Sequence, residues 1–151
     1  MKKILVFVFI CISQLSFSQD LNLGNEINEN LFTLQDSGKY LLNASNFVAF
    51  NQVCRKVEVL IDDEMRITQI EYTGTGNPRT ANTFISALAQ YARNNRWTET
   101  HEIEIMPNVM KMIFFLNPSD NSGLVLSLVM NDFSIIITRN AREIYNARKI
   151  S

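Results

Sequence analysis

The sequence predicts an α+β domain in which helices pack on an antiparallel sheet of about six strands. Short stretches alternate between apolar and polar residues, as strands with one buried face do. Other stretches carry apolar residues at the spacing of an amphipathic helix. Short turns join most of the strands, which makes neighbours along the chain antiparallel. The expected order of the core is β-β-α-β-β-β-β, with a further helix at each end.

The N-terminus precedes this domain and has a different character. Two lysines precede an unbroken apolar run over residues 4–12, and the small-x-small stretch SFS ends at Ser18. This layout predicts a secretory signal peptide over residues 1–18, cleaved after Ser18. The apolar run is shorter than the roughly 20 residues of a membrane-spanning helix. We therefore expect a secreted or periplasmic protein, from the cell envelope of a Gram-negative bacterium.

Charge and cysteine content narrow the possible partners and covalent links of the mature chain. Without Lys2 and Lys3 the chain is mildly acidic and has no basic run, which argues against a nucleic-acid partner. Cys11 falls within the predicted signal peptide, so Cys54 alone remains and no internal disulfide can form. That thiol is either buried or forms an intermolecular link. The mature chain is long enough for one core.

The polar segment 19–38 is expected to be a loosely ordered N-terminal arm, followed by one domain over residues 39–151. A helix is expected over residues 40–53, where apolar residues recur at helical spacing. Alternation of apolar and polar residues predicts the next strand over residues 55–62. A second strand over residues 65–73 follows after an acidic turn.

Asn77 and Pro78 are a favourable N-cap and first residue for a helix that runs to about Asn94. Four strands follow, over residues 97–106, 109–116, 124–130 and 133–138. Asn131-Asp132 is the expected two-residue loop between the last two strands. Asn140, with Glu143 in the capping-box position, predicts a terminal helix.

Residues 109–116 are apolar at nearly every position, although an antiparallel sheet usually leaves one face in water. Either the first and last predicted helices cover the second face, or a partner protein, a second subunit or an apolar ligand does so. The candidate interaction face consists of Met110, Met112, Ile113, Phe114 and Phe115.

One pattern joins two strands over residues 57–72, a helix over 80–94, Trp97 directly after it, and the strand VMKMIFFLNP at 109–118. Residues 56–118 thereby resemble the C-terminal domain of TonB-type energy transducers. Members of that family carry a membrane anchor and a Pro-rich spacer, whereas this chain has a predicted cleavable signal, three prolines, and two more strands and a helix after Pro118. The resemblance implies a periplasmic protein-contact module that pairs a sheet edge with a partner strand.

His101 is the only histidine, and on a strand it shares a face with Glu99. Two ligands are fewer than zinc requires, so we expect a half-exposed strand residue and no metal. Cys54 and His101 could serve as nucleophile and base, but no signature surrounds the cysteine.

Three further groups have simple structural explanations. The acids at 62–64 are typical of a solvated turn, since a calcium site needs more oxygens. The glycines at 74 and 76 lack the other residues of a phosphate loop. Trp97 and Tyr72 form a candidate aromatic contact surface, although a Trp after a helix more often closes the core.

The leading hypothesis is a non-enzymatic protein-interaction domain, either with another protein or as a homo-oligomer, without a cofactor. A binder of a small apolar ligand or lipid, held between sheet and helix, is the first alternative. The second is a hydrolase with an unfamiliar site, which would need a polar cluster around Glu99, His101 or Asp63.

Overall fold

The computed structural model describes residues 21–44, 47–75 and 82–150. The predicted signal peptide over residues 1–18 lies outside the described residues, as do Gly76 and the expected helix start at Asn77 and Pro78.

The described residues form ten strands, two α-helices and one 3₁₀ turn. The strands are β1 (Phe32–Leu34), β2 (Tyr40–Leu42), β3 (Phe47–Ala49), β4 (Gln52–Cys54), β5 (Lys56–Ile61), β6 (Ile67–Thr75), β7 (Glu99–Met106), β8 (Met110–Leu116), β9 (Gly123–Val129) and β10 (Asp132–Thr138). The helices are α1 (Asn82–Asn94) and α2 (Ala141–Lys149), and the 3₁₀ turn is Glu29–Leu31.

Eight of the strands form one antiparallel sheet in the order β1-β2-β5-β6-β10-β9-β8-β7, and β3 and β4 form a separate hairpin. The predicted α+β class is confirmed. The main sheet is wider than the expected six strands, because β1 and β2 extend it beyond β5.

The helix predicted over residues 40–53 is wrong, because this segment contains β2, β3 and β4. Phe50 and Asn51 both have positive φ, 51° and 62°, which fits the two-residue turn of the β3–β4 hairpin. Asparagine and aromatic residues are weak helix formers, so pairing with neighbouring strands overrides the apolar spacing.

The segment expected as a loose arm packs onto the domain within its described part. Glu26 forms a bridge with Arg66, Ile27 and Phe32 are buried, and β1 pairs with β2. Tertiary contacts therefore order residues whose polar composition suggested an arm.

The sheet carries apolar side chains on both faces, and a different helix packs on each. On the α1 face, Ile113 and Phe115 join the large core with Phe84 and Leu88. On the α2 face, residues of β8 and β9 pack against that helix in a smaller cluster that contains Met112, Phe114, Leu116, Val125 and Ala141. The terminal helix thus covers the second face of β8, whereas the first helix that the sequence explanation also required is absent, because residues 40–53 form strands.

Candidate contact surface

The candidate interaction face predicted from sequence lies mostly in the core. Met112, Ile113, Phe114 and Phe115 are buried, and Met110 is half-buried. The prediction needs correction because alternate side chains of β8 point to opposite faces, and each face already has a helix against it. These side chains are not available to a partner in this conformation.

The candidate aromatic contact residues are also buried. The Trp97 indole nitrogen donates a hydrogen bond to Ser122 Oγ at 3.1 Å. Its position follows from the end of α1, where Arg96 adopts a φ of 63° and Trp97 N donates to Ala92 O at 2.9 Å. Tyr72 packs against Phe47 and Phe50, and burial raises the pKa of its hydroxyl.

An exposed surface lies instead along β7, which is an end strand of the main sheet. β7 has eight residues, whereas β1 at the other end has three. Within the described ranges, the side of β7 away from β8 has no strand paired with it. Such an edge presents backbone N–H and C=O groups without strand partners.

Side chains of β7 alternate between the two faces of the sheet. Glu102 and Glu104 stand opposite Ile113 and Lys111 and therefore lie on the α1 face. Glu102 forms an ion pair with Lys111 at 2.6 Å, whereas Glu104 accepts a hydrogen bond from Asn108 N at 3.2 Å. The pairing shifts between Glu104 and Met106, which marks a bulge near the end of the strand.

The β7–β8 and β9–β10 turns form an apolar surface at the end of this edge, which we call the tip patch. It consists of Ile105, Met106, Val109, Val129 and Met130. These are five of the nine large exposed hydrophobic residues in the described chain. Met130 N donates to Val109 O at 2.9 Å, so one backbone hydrogen bond joins the two turns.

Met130 has an unusual backbone conformation for its residue type. The loop between β9 and β10 is Met130-Asn131, one residue earlier than predicted, and Met130 has a φ of 53°. The left-handed region costs a non-glycine residue about 1–2 kcal/mol. The side chain is nevertheless large, apolar and 71% exposed. The sequence analysis missed this patch because it placed Met106, Val109 and Met130 at the ends of predicted strands, where apolar residues are expected.

A groove of about 610 Å³ lies between the tip patch and α1. Met106, Met110 and Met130 line it together with Ile85 of α1 and Leu128 of β9. Methionine side chains adapt to irregular partners because they are unbranched and flexible. The groove therefore extends the apolar tip patch onto the α1 face.

Glu99, His101, Arg142 and Tyr145 form a polar cluster on the α2 face. Glu99 Oε1 lies 2.6 Å from His101 Nε2, and Arg142 Nη2 donates to Glu99 Oε2 at 2.7 Å. The His101 ring stacks on Tyr145 with centroids 4.4 Å apart. The sequence placed Glu99 and His101 on one face correctly, but the two helix residues were missed because their approach depends on how α2 docks.

Charged hydrogen bonds of this cluster attach α2 to the sheet. Hydrogen bonds from Arg142, and secondarily from His101, lower the pKa of Glu99 to about 2. Arg142 also donates to Asn117 O at 2.9 Å. No hydroxyl or thiol of the described residues hydrogen-bonds to His101, so the contacts present attach α2 to the sheet without supplying a nucleophile.

A second charged cluster lies on strands β5 and β6. Glu58 and Glu71 are direct cross-strand partners, a placement that like charges disfavour. Lys39 contacts both, at 3.7 Å from Glu58 and 2.9 Å from Glu71. Its hydrogen bond with Glu71 is the main cause of a raised pKa for Lys39. This cation links the start of β2 to the centre of the sheet.

The other sequence candidates have structural roles. Cys54 is buried among apolar residues, and burial raises the pKa of its thiol to about 11. Asp62 accepts hydrogen bonds from Glu64 N and Arg66 N, and the bond from Arg66 is the main cause of its lowered pKa. Across the described ranges, no group of three or more metal-ligating side chains could hold a metal ion.

Comparison with known proteins gives no relative: no family model, no curated protein and no solved structure matches this chain. Within residues 21–44, 47–75 and 82–150, neither helix is long and apolar enough to cross a membrane.

Proposed function

We propose that the mature chain is a secreted or periplasmic, non-enzymatic protein-contact domain. It binds a strand of another protein along the free edge of β7 and contacts the same partner with the tip patch. The observation that carries this proposal is the long edge strand that ends in exposed apolar turns.

The backbone of β7 supports this mode of binding. Adding a strand to a sheet edge satisfies the outward N–H and C=O groups of the edge and gives affinity through main-chain hydrogen bonds. β1 is too short to offer a comparable edge, with three residues against eight. The resemblance to TonB-type C-terminal domains implies two strands, a helix and one further strand, an order that β5, β6, α1 and β8 follow, with β7 as an additional strand between α1 and β8.

The tip patch supports a protein partner in a second way. Contiguous exposed apolar surface is uncommon on soluble monomers and often marks an interaction site. Met130 keeps an exposed apolar side chain at a position where glycine would carry less backbone strain. Strain of this kind persists most often where a side chain has a function.

Charge favours a different protein over a second copy of this chain. Antiparallel pairing of β7 with β7 of another copy would bring Glu102 and Glu104 near their own counterparts, and facing like charges destabilise strand pairs. Glu104 has no ion-pair partner among the described residues, so it can accept a cation from outside. The expected partner strand carries lysine or arginine opposite Glu104.

Site-specific photo-crosslinking tests the proposal. A photoreactive residue is placed at Glu102 or Ile105 of the mature chain, with Leu34, which is 59% exposed on β1, as the control position. In the native envelope fraction, both β7 positions should crosslink one common protein and Leu34 should not. Crosslinks that are equal at all three positions, or none at β7, would refute it.

The variant Met130→Gly tests whether the tip patch takes part in the contact. It removes the exposed side chain and relieves the positive-φ strain, so the folded chain should become more stable while the crosslinked product decreases. A product of unchanged yield would exclude the tip patch from the contact. Sequencing the N-terminus of the exported protein tests cleavage after Ser18 separately.

A further inference from the structure

A larger cavity, of about 770 Å³, lies away from the tip patch. It is a half-open cleft between the N-terminal strap, which we define as residues 21–31, and the strands β1, β2 and β6. The cavity meets β6 at Ile67, whereas the tip patch lies near Thr75 at the other end of that strand. The two features are therefore separate sites.

Backbone hydrogen bonds hold the strap over the cavity. Gly24 N donates to Ile67 O at 2.7 Å, Ile67 N donates to Asn25 O at 2.8 Å, and Ile27 N donates to Met65 O at 3.0 Å. Gly24 has a φ of 86°, a conformation that glycine adopts without strain. The roof of the cavity is thus fixed by the main chain, which makes the space preformed.

Six of the eleven residues that line the cavity are apolar, and Asn25 and Asn28 are among the polar ones. Ile27, Phe32, Leu42 and Ile67 are buried residues of the α1-face core that also line the cavity. Leu21 and Leu31 are half-buried residues of the strap. A volume of 300–1,000 Å³ with mainly apolar walls is typical of small-molecule sites.

The rim is polar and carries more acid than base. A backbone bridge pairs Glu26 of the strap with Arg66 of the sheet. Arg66 forms its ion pair with Glu64, at 3.2 Å between Nε and Oε2. Two acids beside one base make the mouth unfavourable for an anionic ligand.

We propose that this cavity binds a small neutral apolar molecule. The apolar part of the lining removes its surface from water, and the acidic rim favours an uncharged compound over a carboxylate of the same chain length. This site is independent of the contact along β7 and would serve to carry or sense an apolar compound outside the cytoplasm.

Fluorescence titration of the mature chain with the neutral dye Nile red tests the site. The dye should bind and be displaced by dodecanol at least tenfold more effectively than by dodecanoate. Displacement by dodecanoate alone would overturn the neutral-ligand proposal. Absence of dye binding would overturn the site itself.

Variants locate the binding. Leu31→Trp adds bulk within the cavity and should weaken dye binding at least tenfold, whereas the matched exposed variant Leu34→Trp should not. Because Leu31→Trp could disturb folding, methyl NMR of the wild-type chain gives a second readout. Dye-induced shifts should appear at Leu31 and Ile67. Shifts confined to Met106 and Met130 would overturn the proposal and leave the contact function intact.

Discussion

The substitution Phe115→Asp separates a core residue from an interface residue. Phe115 was part of the face that the sequence offered to a partner, and a charge on an interface would abolish assembly without unfolding the chain. In the structure its side chain is 6% exposed and belongs to the α1-face core. We therefore expect the variant to lose its fold.

The expected loss in the free energy of unfolding is the sum of two costs. Loss of a buried phenylalanine side chain costs about 3–5 kcal/mol. A buried aspartic acid must also stay neutral, and holding a carboxyl of ordinary pKa protonated at pH 7 costs about 4 kcal/mol. Together these costs are about 7–9 kcal/mol, comparable to the total stability of about 5–15 kcal/mol for a domain of this kind.

Circular dichroism during urea titration measures the outcome. At pH 7 the Phe115→Asp chain should be unfolded without denaturant, and at pH 4 it should recover part of its stability because keeping the new carboxyl neutral then costs much less. The control Met130→Asp places the same charge on an exposed residue and should change stability by less than about 0.5 kcal/mol. A Phe115→Asp chain with a wild-type unfolding midpoint would refute the assignment of Phe115 to the core.

Three further predictions concern ionisable groups. The pKa of Glu99 is lowered to about 2, so the stability that its carboxylate contributes is present above about pH 4.5 and is lost as the pH falls toward 2. Glu99→Gln should therefore lose less stability than wild type in that window when acid unfolding is followed by circular dichroism; equal losses would contradict this. Burial raises the pKa of Cys54 to about 11, so at pH 8 iodoacetamide should modify the folded chain at least tenfold more slowly than the urea-unfolded chain, and similar rates would show an accessible thiol. Lys39→Met should cost about 1 kcal/mol in urea unfolding because Glu58 then faces Glu71 without a bridging cation, and adding Glu71→Gln should restore most of it. Wild-type stability in the single variant would argue against this role for Lys39.

Local patterns in the sequence predict much of the fold. Alternation in residues 55–62 predicts β5, and the apolar spacing before Trp97 predicts α1. These patterns are informative because one face of each element packs against the large core. The helix prediction for residues 40–53 is wrong because apolar residues recur at helical spacing in a segment that forms strands. The positive φ of Phe50 and Asn51, and pairing of β2 with β5, decide the outcome.

Less of the candidate site than of the fold could be predicted from the sequence. The sequence put Glu99 and His101 on one face because strand geometry has period two, but it gave no reason to place Arg142 beside them. The tip patch brings together residues from two hairpins, and their separation along the chain hides the contact. The cavity under the strap depends on the bridge between Glu26 and Arg66, which no local pattern predicts.

Local sequence patterns are enough to predict the α+β class, the six strands from β5 to β10, and both helices, because periodicity and turn chemistry are local properties of the chain. They do not predict that β7 is the free edge, that α2 covers β8, or that Phe115 lies in the core. Strand order and helix docking depend on contacts between distant residues, which local patterns do not contain. Those contacts also decide which apolar side chains remain exposed to a partner.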